Sequence, residues 1–135
     1  MVADHEVTTA LGRMRLAHLA DKLETEVGER GISLSAGERQ RIALTRTLLS
    51  STPLVFLDEP TSALDSETEA AVMTESFNSM MGRTVVLVAH RLQPVRVCDA
   101  IIVVEDGAVV EEGAFRDLVQ SKGRFWELWE EQTRQ

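Results

Sequence analysis

Leu54-Val55-Phe56-Leu57-Asp58-Glu59-Pro60 is a continuous apolar run closed by two carboxylates and a proline. Four apolar residues without alternation predict a strand buried on both faces, its charged end lying at the edge of a sheet. A second run of the same kind, Thr84-Val85-Val86-Leu87-Val88-Ala89, follows downstream. Between them Ser66-Glu67-Thr68-Glu69 has the spacing of a capping box ahead of Ala70, Ala71, Val72, Phe77 and Met80, which predicts a helix running to Gly82. Strand, helix and strand in this order have the length of a right-handed parallel crossover, so the expected fold class is α/β.

On the N-terminal side, Leu11, Met14, Leu16, Leu19 and Leu23 recur mostly three or four apart, predicting an amphipathic helix from Thr8 to Leu23 with Gly12 as its weak point. A loop with Gly28 and Gly31 comes next. Ser35-Ala36-Gly37-Glu38 then repeats the S-x-x-E pattern and predicts a helix over 36–49. On the C-terminal side, the runs 100–105 and 108–111 are joined by Asp106-Gly107, whose residues tolerate the positive φ of a tight hairpin turn. Two short terminal helices, around Phe115–Val119 and Phe125–Trp129, are separated by Lys122-Gly123.

Composition narrows the function. A chain of 135 residues with 44% hydrophobic content suits one modest folded domain. Twenty-two acidic against 14 basic side chains give a formal charge of -8, which disfavours a nucleic acid partner, since such affinity comes from phosphate neutralisation. Cys98 is the only cysteine, so no internal disulfide forms, and a cytoplasmic location is the default expectation. No apolar stretch approaches a membrane span and the first residues lack a basic run, so direct membrane insertion is not expected. Membrane association would pass through a protein partner.

Asp58 and Glu59 form the sharpest chemical constellation. A carboxylate at the mouth of a parallel strand suits a hydrated magnesium ion beside phosphate oxygens, and the next carboxylate suits orienting and deprotonating water. Taken alone, the pair reads equally well as solvated acidic residues before a turn. His90 follows the second buried strand, where an imidazole suits a terminal phosphate and its attacking water near Glu59, although a lone histidine is more often an ordinary boundary residue. Ser35, Ala36 and Gly37 open a helix whose N–H groups and dipole favour an anion. Simple capping by Ser35 explains the same residues, and the two roles are compatible.

Taken in order, these segments resemble a known family. Leu34-Ser35-Ala36-Gly37-Glu38-Arg39-Gln40-Arg41 is similar to the signature motif of ATP-binding cassette (ABC) proteins. The run 54–59 resembles their Walker B strand and catalytic glutamate, Ser62-Ala63-Leu64-Asp65 their D-loop, and Val88-Ala89-His90-Arg91 their histidine switch. Glu26-Val27-Gly28-Glu29-Arg30-Gly31 and the acidic hairpin look most like a type I exporter cassette. The resemblance implies a P-loop NTPase-like ABC ATPase lobe, with residues 1–50 as part of the helical signature subdomain and 51–135 as the C-terminal part of the ATPase core. It implies ATP and Mg2+ as cofactors: Asp58 for the metal, Glu59 as base, His90 as γ-phosphate sensor, Ser35, Ala36, Gly37 and Glu38 against nucleotide, and Asp65 coupling two sites. The implied partners are a second nucleotide-binding domain and transmembrane transporter domains, which would hold the chain peripherally at the inner or plasma membrane.

Three departures from the family pattern stand out. Ala36 and Glu38 occupy positions where the family more often has glycine and glutamine, and both changes are expected to be tolerated, since Gly37 and Ser35 are kept. No G-x-x-x-x-G-K-[ST] occurs in the 135 residues. The lobe is therefore expected to be incomplete, and the isolated chain to bind ATP poorly and hydrolyse it inefficiently, because that loop supplies most phosphate contacts. The function the resemblance implies is that of the C-terminal segment of an ABC exporter ATPase, coupling ATP hydrolysis to transmembrane transport as part of a complete cassette; the alternative expectation is a catalytically inactive interaction segment that pairs with another cassette. Missing core strands would also leave the strands led by Val55 and Val85 less covered.

Overall fold

A computed structural model describes residues 2–28 and 32–134. Where length suggests one domain, the chain forms two compact units, Met1–Val88 and Ala89–Gln135.

The first unit begins with α1 (Asp4–Arg13), where Glu6 Oε2 accepts the N–H of Ala3 at 2.9 Å. The helix expected to reach Leu23 stops ten residues earlier. Arg15 adopts a left-handed φ of 57°, Leu16 N–H donates to Leu11 O at 2.8 Å and Arg15 N–H to Gly12 O at 3.1 Å, the double reversal that ends many helices. An arginine stands where glycine is usual. The reversal drives Met14 and Leu16 into the core at 0% exposure, and a short 3-10 turn over Ala17–Leu19 buries Leu19, while Leu23 is left at the surface. These residues pack with Leu11, Leu44, Val55, Leu57, Val72 and Met80. Each such side chain contributes about 1.5–3 kcal/mol when fully buried.

Helix α2 (Ala36–Leu49) has the expected bounds, and its capping box forms: Ser35 Oγ accepts Glu38 N–H at 3.1 Å and Glu38 Oε2 accepts Ser35 N–H at 2.8 Å. Strand β1 (Leu54–Asp58) pairs in parallel with β2 (Thr84–Val88), in register from Leu54↔Thr84 to Asp58↔Val88, with α3 (Ser66–Ser79) as the connection. Arg83 ties the start of β2 to the end of α2, donating to Thr52 O at 2.7 Å and Thr47 O at 3.1 Å. Burial of both sheet faces is not observed. Val55 and Leu57 point into the core, whereas Leu54, Phe56, Val86 and Val88 are exposed, Phe56 at 70%. Among the described residues of this unit, the inward side chains of the two-stranded sheet pack with the helices while the outward ones stay exposed.

In the second unit, β3 (Ile101–Glu105) and β4 (Ala108–Gly113) form an antiparallel hairpin. Its turn residues Asp106 and Gly107 have φ of 50° and 78°, the signature of the mirror-image turn that matches strand twist. A bulge shifts the register between Val103↔Glu111 and Val104↔Val109. Helices α4 (Phe115–Ser121) and α5 (Arg124–Thr133) are separated by Lys122, at φ 51°, and Gly123. Glu111 Oε2 accepts Phe125 N–H at 2.6 Å, capping α5 from the hairpin. Trp129 packs edge-on to Phe115 at 4.8 Å, so it belongs to the core of this unit.

Candidate functional site

The first unit gathers most of the sequence-predicted residues around one turn. Asp58 is the last residue of β1, its carboxylate exposed. Glu59 N–H donates to Val88 O at 2.9 Å, continuing the parallel ladder one step beyond the strand. Glu59 also has a φ of 42°, a left-handed conformation that costs a non-glycine residue about 1–3 kcal/mol and persists only where its surroundings over-determine it. The residues after it supply that restraint. Ser62 N–H reaches Glu59 O at 3.3 Å, Leu64 N–H donates to Thr61 O at 3.0 Å, and the buried Thr61 hydroxyl donates to Glu69 Oε1 at 2.6 Å.

Asp65 closes the turn. It, and not Ser66, caps α3: Asp65 Oδ2 accepts Thr68 N–H at 3.0 Å, and that bond holds its carboxyl below the usual aspartate range. Glu69, expected as the second half of a box on Ser66, turns inward to Thr61 instead.

The first turn of α2 lies against this segment. A Cβ on Gly37 would stand 2.9 Å from Leu64 Cδ2 and 3.4 Å from Ala63 O, so at this position glycine admits the 62–65 turn. Ser35 and Ala36 are exposed. Glu38 is held below the ordinary glutamate range, first by the N–H of Ser35 and then by His18, whose Nε2 lies 2.9 Å from Glu38 Oε1. The helix N-terminus thus already bears one carboxylate. Helix starts of this kind carry N–H groups without intrahelical acceptors, here those of Ala36 and Gly37 beside the Ser35 hydroxyl.

His90 belongs to the second unit, in a bend two residues beyond β2, exposed, with its carbonyl accepting from Gln132 Nε2 at 2.7 Å. Part of the exporter-like stretch 26–31 falls on residues 29–31, outside the described residues. Among the described residues no group of three His, Cys, Asp or Glu side chains could by itself hold a metal ion. A single exposed carboxylate at Asp58 fits magnesium, which keeps several waters and takes its other ligands from substrate phosphates.

A sequence profile described as ABC transporter matches residues 2–62, from α1 through the turn after Glu59. The chain is 51% identical over 105 residues to the beta-(1-->2)glucan export ATP-binding/permease protein NdvA of Rhizobium johnstonii, covering 78% of this chain and 18% of that protein. The chain is homologous to ABC transporter nucleotide-binding domains. The mycobactin import ATP-binding/permease protein IrtB of Mycobacterium bovis is 46% identical over 117 residues, covering 87% of this chain and 20% of that protein. The mitochondrial iron-sulfur clusters transporter ATM1 of Gibberella zeae is 45% identical over 138 residues, covering 96% and 20%. A solved bacterial Atm1-family ABC exporter with ATP bound superposes with a TM-score of 0.87 at 36% identity, covering 98% of this chain and 24% of that one. The chain therefore spans about a fifth of the length of the curated ABC transporters it matches. Among the described residues no helix is long and apolar enough to cross a membrane.

Proposed function

We propose that these residues supply the signature and D-loop face of an ABC transporter ATPase site whose P-loop another cassette presents, and carry the Walker B carboxylates of their own cassette. The observation that supports this most is the packing of the α2 first turn against the 59–65 turn through Gly37 and Leu64, with the Ser35-led helix start and the Asp58 strand end on one unit. These 135 residues contain no G-x-x-x-x-G-K-[ST], so phosphate contacts of that kind would come from outside them.

In this reading the Ser35 hydroxyl and the N–H groups of Ala36 and Gly37 donate to the terminal phosphate of ATP held by the partner. In the site of the cassette to which these residues belong, Asp58 would hold magnesium and Glu59 would take a proton from the water that attacks the terminal phosphorus as the bond to the ADP oxygen breaks, while His90 keeps the γ-phosphate-sensing role that its motif implies. Asp65 faces the partner across the interface, and Glu38 contributes by fixing the helix start. When bound, magnesium would offset the charge that develops on the phosphate oxygens as the anhydride bond of ATP breaks. Residues 1–50 act as the signature-bearing part and 51–135 as the core part. Transmembrane domains would hold the assembly at the cytoplasmic face of a membrane. The relatives' names include both export and import, so exporter activity rests on the Atm1-type and NdvA-type likeness.

The test is association. A related ABC cassette with an intact P-loop and its own signature serine replaced is mixed with this chain and Mg-ATP, and sedimentation is followed. The expected result is an ATP-dependent heterodimer that is lost in Ser35→Arg and weakened in Asp65→Arg. Unchanged association by both folded variants would overturn the pairing.

A further inference from the structure

Gln40 lies in the Leu34-to-Arg41 motif, one turn beyond the helix start, and no role in phosphate chemistry falls to it from sequence. Its amide spans from α2 to the turn that carries Glu59. Gln40 Oε1 accepts Ala63 N–H at 2.9 Å, while Gln40 Nε2 donates to Ser62 Oγ at 2.7 Å and reaches Glu59 O at 3.4 Å. One side chain thus engages three successive features of the turn across some twenty residues of sequence. With the Glu59 N–H held by Val88 O, the Glu59 peptide is gripped on one side by β2 and on the other by α2. A carboxamide is the side chain that suits this task, because acceptor and donor are both needed at one place.

We propose that Gln40 is a positioning residue that transmits the position of the signature helix start to the left-handed Glu59 turn. Displacement of α2 by an anion at Ser35–Gly37 moves Gln40, and Gln40 moves the carbonyl of Glu59 and the amide of Ala63. The Gly37–Leu64 contact makes the same junction tight, so the helix does not shift without the turn. The inference rests on the anion-facing reading of α2 given above.

The experiment has two arms on the whole 135-residue chain. The first measures amide hydrogen exchange by NMR, with the Leu44 and Val72 amides as internal references for global stability. In Gln40→Leu the Ala63 amide is expected to exchange about three- to tenfold faster relative to those references, the worth of one ordinary hydrogen bond. Gln40→Glu keeps the acceptor, so Ala63 retains its protection while the Ser62 and Glu59 resonances shift. Ala63 exchange that follows the reference amides in Gln40→Leu, or equal loss of protection in both variants, would overturn the clamp. The second arm titrates inorganic phosphate. Resonances of 35–38 and of Glu59 and Ala63 are expected to move together in the wild type, with only 35–38 moving in Gln40→Leu. Movement of 35–38 alone in the wild type overturns the transmission. If 35–38 does not move at all, the anion-facing reading of α2 fails, the transmission falls with it, and the first arm still decides whether Gln40 positions the turn.

Discussion

Thr61 and Glu69 meet in a buried hydrogen bond of 2.6 Å between the turn that follows β1 and the first turn of α3. The contact fixes where the chain leaves β1 and re-enters a helix, and so fixes the arc on which Glu59 and Asp65 stand. Thr61→Val keeps the shape and removes the donor to a buried carboxylate. The expected loss is about 1–3 kcal/mol of stability, read from urea unfolding. A loss within error would show that the arc is held elsewhere.

Gly37→Ala places a methyl group where Leu64 Cδ2 and Ala63 O already stand. Overpacking of this kind costs about 1–3 kcal/mol. Because the nearest atom is the end of a leucine side chain, Gly37→Ala with Leu64→Val should recover part of that loss, and a double-mutant cycle measures how much.

The Glu38 carboxyl is depressed in the folded state by the Ser35 N–H and by His18. A depressed carboxyl contributes stability that is fully present above its unfolded value and is lost as pH falls through the folded one. Denaturant midpoints of the wild type and Glu38→Gln should therefore differ at neutral pH and converge under acid conditions. Asp65, depressed by the Thr68 N–H, follows the same sign, and Asp65→Asn should flatten the acid limb further.

In the second unit a Cβ on Gly123 would collide with the Glu111 carboxylate, which caps α5 through Phe125 N–H. Gly123→Ala should displace that cap and loosen the Phe115, Phe125 and Trp129 cluster, at about 1–2 kcal/mol. Tryptophan fluorescence during unfolding reports it directly.

Much of this arrangement is legible in the residues. Ser35 and Glu38 announce α2 to its exact bounds, Asp106-Gly107 announces the hairpin, and two apolar runs with a helix between them announce the parallel pair. What escapes sequence reading has physical reasons. The left-handed reversal at Arg15 lacks the glycine that normally signals it, so Met14, Leu16 and Leu19 look like one helical stripe. An apolar run such as Leu54–Leu57 reads the same whether one face or two are covered, and here Phe56 is bare. Asp65 and Ser66 are adjacent capping residues, and only the inward turn of Glu69 selects between them. The Gln40 bridge depends on two segments that meet only in the folded chain. His90 stands in the second unit, so its role is a proposal from sequence.

The most direct test of the central claim is Mg-ATP titration calorimetry and phosphate release on the purified chain, alone and then with the P-loop-bearing, signature-defective cassette. Alone, the chain should show neither micromolar ATP affinity nor turnover. Together, the pair should hydrolyse ATP in a manner that Ser35→Arg abolishes. Micromolar affinity and turnover by the chain alone, lost in Glu59→Gln, would contradict the account.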